Sequence, residues 1–228
     1  MHDPRIIEFP PVVRDAPNRL FFGGSFDPVH LGHLTLPKAV AAAMGGDWAV
    51  IYVPAGRSPF KSDQPTEPGH RVSMLTIGLR DDQRTWVWEQ ELVDQQEHPD
   101  QPSYWAQSWE AIGRMGLKGE NRFLIGADQA GSMHRWHRYT EFWRDAVVML
   151  RQGSQSVDAL MDQLTQVGVW TASDIEHWRS RVVVGVPTVD ASSSAIRASL
   201  SDPARRTKPI HGLDEQVQAY ILEHGLYP

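Results

Sequence analysis

Apolar residues along this chain gather into short runs separated by stretches of helical periodicity. "RLFFGG" reads as a strand that ends in glycines, and "LGHLTLPKAVAAAM" as a helix stopped by Gly45 and Gly46. "WAVIYVP" predicts a second strand closed by Pro54, "HRVSMLTIGLR" a helix, and the alternating "TWVWEQEL" a third strand. "SYWAQSWEAIGRM" predicts a helix, and "RFLIG", "DAVVML" and "RVVVGV" three further strands. Short continuous apolar strands alternating with helices predict an α/β fold, a doubly wound parallel sheet with helices on both faces. Such sheets take ligands at the carboxyl ends of their strands, near the point where the strand order reverses.

Residues 1–18 read as a Pro-rich lead-in, and residues 19–228 as one domain. Residues 154–179 carry two helical patterns between adjacent strands and predict a peripheral helical pair. Residues 202–212 hold two prolines with Arg205, Arg206 and Lys208, a loop with a solvated basic patch. A final amphipathic helix follows, with Val217, Tyr220, Ile221 and Leu226 on one face. The acidic stretch "EQELVDQQEHPD" is expected to be exposed, and no metal is assigned to it.

Composition narrows the function classes. With 228 residues, 41% hydrophobic and 22% charged, the chain can bury a core and is not a disordered segment. A net charge of -6 lacks the broad basic field of a nucleic-acid or membrane-surface binder, so neither partner is expected. Any phosphate must then be held by local donors. Without cysteine there is no disulfide and no thiolate chemistry, which fits a cytoplasmic protein. The N-terminal charges and prolines interrupt the apolar core a signal peptide needs. A homo-oligomer is compatible with the sequence, which does not set the assembly state.

The chemistry concentrates in "FFGGSFDPVHLGHL", residues 21–34. Gly23 and Gly24 lie between a strand and a helix, where glycine lets the backbone approach a ligand and leaves amide donors available. A helix starting near His30 points its positive end at an anion. His30 and His33 are three apart and face one side of that first turn, each a hydrogen-bond donor near neutral pH. Either feature alone is an ordinary turn or helix cap; together they describe a pocket for a phosphate chain. The spacing is neither the dinucleotide fingerprint nor the lysine-bearing phosphate loop. A two-histidine metal site would need a third ligand, and none lies nearby.

The residues Gly24, Phe26, Asp27, Pro28, His30, Gly32 and His33 form G-x-F-D-P-x-H-x-G-H. This motif resembles that of the nucleotidyltransferases related to class I aminoacyl-tRNA synthetases. The resemblance implies a Rossmann-like domain in which a nucleophilic phosphate attacks the α-phosphate of a nucleoside triphosphate and expels pyrophosphate. "SSSAIRASL" is similar to the family's second motif, S-S-T/S-x-I-R, at Ser192, Ser193, Ser194, Ile196 and Arg197. Serines at a helix start offer hydroxyls and amides to an anion, and arginine adds a planar fork. The plainer alternative is a serine cap with a solvated arginine.

Four more segments resemble bacterial nicotinate-nucleotide adenylyltransferase. They are "VPAGRSPFKSD", "PSYWAQSW", "FLIGADQAGSMHRWHRY" and "VQAYILEHGLYP". The resemblance implies adenylyl transfer from ATP to nicotinate mononucleotide, giving deamido-NAD and pyrophosphate, with Mg²⁺ bound mainly through the ATP phosphates. It implies catalytic roles for His30, His33, Lys61 and Arg197. Gly23, Gly24, Ser25, Phe26, Asp27, Ser193, Ser194 and Ile196 would bind ATP, and Tyr104, Trp105, Asp128 and Trp136 the mononucleotide. Two positions depart from the family pattern: Phe60 stands for a histidine, and Trp105 for the threonine of S-Y-T. Other phosphorylated acceptors (nicotinamide mononucleotide or phosphopantetheine) and a non-catalytic nucleotide-binding regulator are the alternatives.

Overall fold

The computed structural model describes residues 6–57 and 65–228. Six strands form one sheet: β1 (Asn18–Gly24), β2 (Trp48–Pro54), β3 (Thr85–Val87), β4 (Glu120–Gly126), β5 (Ala146–Arg151) and β6 (Val182–Val186). Their order is β3-β2-β1-β4-β5-β6 and each adjacent pair is parallel. The order reverses between β1 and β4, so a crevice opens where Gly24 and Gly126 end those strands.

Ten α-helices accompany the strands among the described residues. They are α1 (Pro11–Arg14), α2 (Leu31–Met44), α3 (Pro68–Gly78), α4 (Gln90–Glu97), α5 (Trp105–Arg114), α6 (Ala127–Ser132), α7 (Val157–Val167), α8 (Ala172–Ser180), α9 (Ser193–Leu200) and α10 (Glu215–Glu223). Side chains alternate across the sheet, as strand geometry requires. Phe21, Ile51, Val53, Phe123, Ile125 and Val148 face one apolar layer. Leu20, Val50, Tyr52, Leu124 and Val147 face the other, packed under α2 and α10. All seven residues of β2 are buried, which is why it reads as an unbroken apolar run.

Three expectations need correction. The predicted strand "TWVWEQEL" is a strand only through Val87, and α4 follows, with Gln90, Glu91 and Leu92 buried. Glutamine, glutamate and leucine are good helix formers, and α4 turns one face inward instead of standing exposed. Residues 154–179 are not peripheral: α7 and α8 bury Leu160, Leu164 and Trp178 completely within one of the two layers.

The lead-in also joins the core. Phe9 and Val13 are buried, and the Phe9 ring lies 5.4 Å from Trp88 and 6.0 Å from Phe21. Arg19, itself fully buried, donates to the carbonyls of Val13, Arg14, Ala16 and Lys118, which clasps the lead-in to β1. Phe9→Ala should therefore lower stability by about 3–5 kcal/mol in denaturant unfolding, the usual cost of emptying an aromatic core site. Val12→Ala, at a position 61% exposed, should change it by no more than about 0.5 kcal/mol.

Candidate active site

The turn after β1 is held from several directions. Phe26 sits at φ 50°, in the left-handed region that bulky residues enter at a cost, and the Asp27–Pro28 peptide is cis. Three backbone carbonyls of this turn find side-chain donors. Arg71 Nη1 donates to the Ser25 carbonyl (2.9 Å), Arg197 Nη1 to that of Asp27, and Ser193 Oγ to that of Pro28 (3.0 Å). The Asp27 carboxylate accepts from the Tyr227 hydroxyl and from the Thr66 amide. Burial is the main reason the Tyr227 hydroxyl is pushed well above the usual tyrosine range, and Asp27 reinforces it. The hydroxyl is therefore a lasting donor.

Past this turn α2 begins, with His30 as its N-cap. The rings of His30 and His33 stack at 3.7 Å and 25°. Phe26 meets His33 edge-on at 5.1 Å and fixes its plane. Gly32 leaves room for this stack, because a Cβ there would lie 3.0 Å from His30 Cε1 and press on the ring. Desolvation lowers the pKa of His30 to about 4, so in the free protein it is a neutral imidazole at pH 7. A neutral imidazole still carries one N–H to donate, and it does not repel a nearby cation.

Beside the turn lies a cleft of about 360 Å³ walled by Trp105, Phe123, Trp136 and Phe142, and Gly23, Gly24 and Ser25 of the turn also line it. Polar groups are few: Glu91, Ser103, Tyr104, Gln129 and His137. Tyr104 and His137 pack their rings 4.6 Å apart. An apolar slot with a few polar groups suits a flat heteroaromatic ring.

The structure brings most of the expected residues together. Gly23, Gly24, Ser25, Tyr104, Trp105 and Trp136 line the cleft. His30, His33, Asp27, Ser193 and Arg197 meet at the adjoining turn. Ser192 is the N-cap of α9, accepting from the Ala195 amide. Ser194 Oγ lies 3.4 Å from Arg197 Nη2. Asp128 stands exposed on the first turn of α6, one residue before the lining Gln129. The side chains of Ile196 and Phe26 are buried in the layer beneath the site and support it by packing. Lys61 and Phe60 lie outside the described residues.

Arg71, Glu91, Tyr227 and His137 escape a reading of motifs. Arg71 left a signal, a cation three and four residues before Met74 and Leu75 on the buried face of α3. Glu91 left none, since a glutamate in an acidic stretch ordinarily faces water.

Comparison with known proteins now decides the family. The cytidylyltransferase-like family model matches residues 21–199. A relative from Dehalococcoides mccartyi, named "Probable nicotinate-nucleotide adenylyltransferase", is 30% identical over 211 residues, covering 90% of this chain and 94% of its own. The chain belongs to this family of nucleotidyltransferases. A second family member with the same name, from Stenotrophomonas maltophilia, is 29% identical and covers 92% of this chain and 96% of its own. The fold is shared with nicotinic acid mononucleotide adenylyltransferase from Plasmodium falciparum, solved in complex with APC, at a TM-score of 0.62 and 14% identity. That likeness covers 92% of this chain and 97% of the other.

Within this nucleotidyltransferase Glu91 has a measurable cost. Burial pushes its carboxyl up to about 7 from an ordinary value of 4.5. Between those values the folded chain holds a proton that the unfolded chain releases, so this group lowers stability as pH rises through that window. Glu91→Gln cannot ionise. Its stability relative to the natural protein should rise by about 3 kcal/mol between pH 4 and pH 8.5, measured by denaturant unfolding. A difference that does not change with pH would contradict the assignment.

Proposed function

We propose that this protein transfers the adenylyl group of ATP to nicotinate mononucleotide, releasing deamido-NAD and pyrophosphate. One observation carries the reading: the stacked His30–His33 pair opens directly beside an aromatic cleft of mononucleotide-ring shape. The relatives named for this activity support it over nearly their full length. In the reaction a 5′-phosphate oxygen of the mononucleotide forms a bond to the α-phosphorus of ATP. The bond from that phosphorus to the bridging oxygen breaks, and pyrophosphate leaves with the electron pair.

No covalent enzyme intermediate is required, so catalysis is positioning and charge stabilisation. His30 and His33 donate to the α-phosphate oxygens, whose charge rises in the transition state. The start of α9, with Ser193, Ser194 and Arg197, is assigned to the leaving phosphates, and so is the cation of Lys61. Magnesium enters as part of the substrate, MgATP, held chiefly by the triphosphate. Asp27, in the turn that leads to the histidines, is occupied by Tyr227 and Thr66 and serves to shape that turn. Trp136 covers the pyridine ring. A cysteine-free chain accords with work in the cytoplasm.

Pyrophosphate release with ATP and each of nicotinate mononucleotide, nicotinamide mononucleotide and phosphopantetheine tests the reading. The first should give the highest kcat/KM, and the best rate with phosphopantetheine would overturn it. His30→Ala and His33→Ala should each cut kcat by about 10²-fold or more, the usual scale for losing one transition-state donor. Trp136→Ala should raise the mononucleotide KM roughly tenfold while leaving that for ATP nearly unchanged, since ring stacking is worth about 1–3 kcal/mol.

A further inference from the structure

We propose that Glu91 is a specificity-determining residue: its buried carboxyl forms part of the acceptor cleft and ranks acceptors by the charge on the ring substituent. This assignment rests on adenylyl transfer to a pyridine mononucleotide as the reaction.

Glu91 is the only carboxylate among the described residues that line the cleft, and none of them is lysine or arginine. It projects from α4 and is held on two sides, by Ser108 Oγ of α5 at 2.8 Å and by the Gly56 backbone after β2. The backbone approaches closely there, for a Cβ on Gly56 would lie 2.6 Å from the Glu91 carbonyl oxygen. The side chain, which stands between this cleft and the neighbouring cavity lined by Ser108 and Asp94, therefore cannot move without breaking contacts to two elements.

The charges around it divide. Arg71 of α3 favours the ionised carboxylate, and Asp94 on α4 opposes it. On α5, Glu110 is engaged by Arg114 and by Arg138. Tyr104 and His137 are the other titratable groups lining the cleft. Burial outweighs all of these, so both protonation states are populated near neutral pH.

An acceptor whose ring bears a carboxylate brings a second negative charge toward Glu91. The neutral acid tolerates that charge, whereas the ionised form repels it, and by linkage the bound carboxylate raises proton affinity at Glu91. A ring amide carries no net charge and is indifferent to this. The ratio of kcat/KM for nicotinate mononucleotide to that for nicotinamide mononucleotide should therefore fall about tenfold as pH rises from 6 to 9, the scale of one like-charge contact. Titration of ATP and of the shared 5′-phosphate enters both reactions and cancels in the ratio.

The experiment measures that ratio across pH for the natural protein, Glu91→Gln and His137→Gln. The expected result is a falling ratio in the natural protein and in His137→Gln, and a flat one in Glu91→Gln. A flat ratio in the natural protein, or a slope kept in Glu91→Gln, overturns the proposal. A slope lost only in His137→Gln assigns discrimination to the histidine and overturns it as well. Calorimetry of the natural protein in buffers of different ionisation enthalpy gives a check that needs no variant. At pH 7.5 nicotinate mononucleotide should bind with more proton uptake than nicotinamide mononucleotide, and equal uptake overturns the proposal. Failure of both mononucleotides to release pyrophosphate would instead overturn the reaction itself.

Discussion

The site depends on a contact between distant parts of the chain. Arg197 and Ser193, on α9, donate to the carbonyls of Asp27 and Pro28, more than 160 residues earlier. A buried carbonyl left without a donor costs free energy comparable to a lost hydrogen bond. A turn that buries the carbonyls of Ser25, Asp27 and Pro28 is therefore stable only where donors converge on it, and Arg71, Arg197 and Ser193 converge from two helices. Satisfying these carbonyls fixes the turn, and with it the amino end of α2 and both histidines, beside the start of α9. The two motifs are thus one mechanical unit, and their shared appearance in a sequence has a structural cause.

Two magnitudes set how the site works. Charge-assisted hydrogen bonds contribute about 1.5–3 kcal/mol each, enough to hold Phe26 in a backbone region that costs of order 1–3 kcal/mol. Desolvation is the larger force on the titratable groups. It holds His30 neutral in the free protein and keeps Glu91 partly protonated near pH 7 despite Arg71. The same burial that positions these groups thus selects their charge states.

Much of this was legible in the sequence where signals were local. Strands buried on both faces read as apolar runs, and β1, β2, β4, β5 and β6 stand where "RLFFGG", "WAVIYVP", "RFLIG", "DAVVML" and "RVVVGV" predicted them. The histidine turn was legible because its spacing puts both side chains on one side, and the serine–arginine segment through its resemblance to the family's second motif. What escaped depends on tertiary contact. The alternation around Trp88 resembles a strand until α4 begins, and helix propensity with burial of Leu92 decides otherwise. Glu91 is functional only because Ser108 and Gly56 close over it, and neither is near it in sequence. The lead-in looked separable because proline-rich segments usually are, yet Arg19 gathers four of the surrounding carbonyls.

The claim that the two motifs act as one unit is tested most directly by a double-mutant cycle in kcat/KM between Arg197→Ala and His30→Ala. If the arginine holds the turn that aims the histidine, the double variant should lose little more than the worse single variant, because residues acting as a unit are not additive. Losses that multiply, so that the double variant shows the full product of both defects, would mean that Arg197 and His30 act independently and would contradict this account.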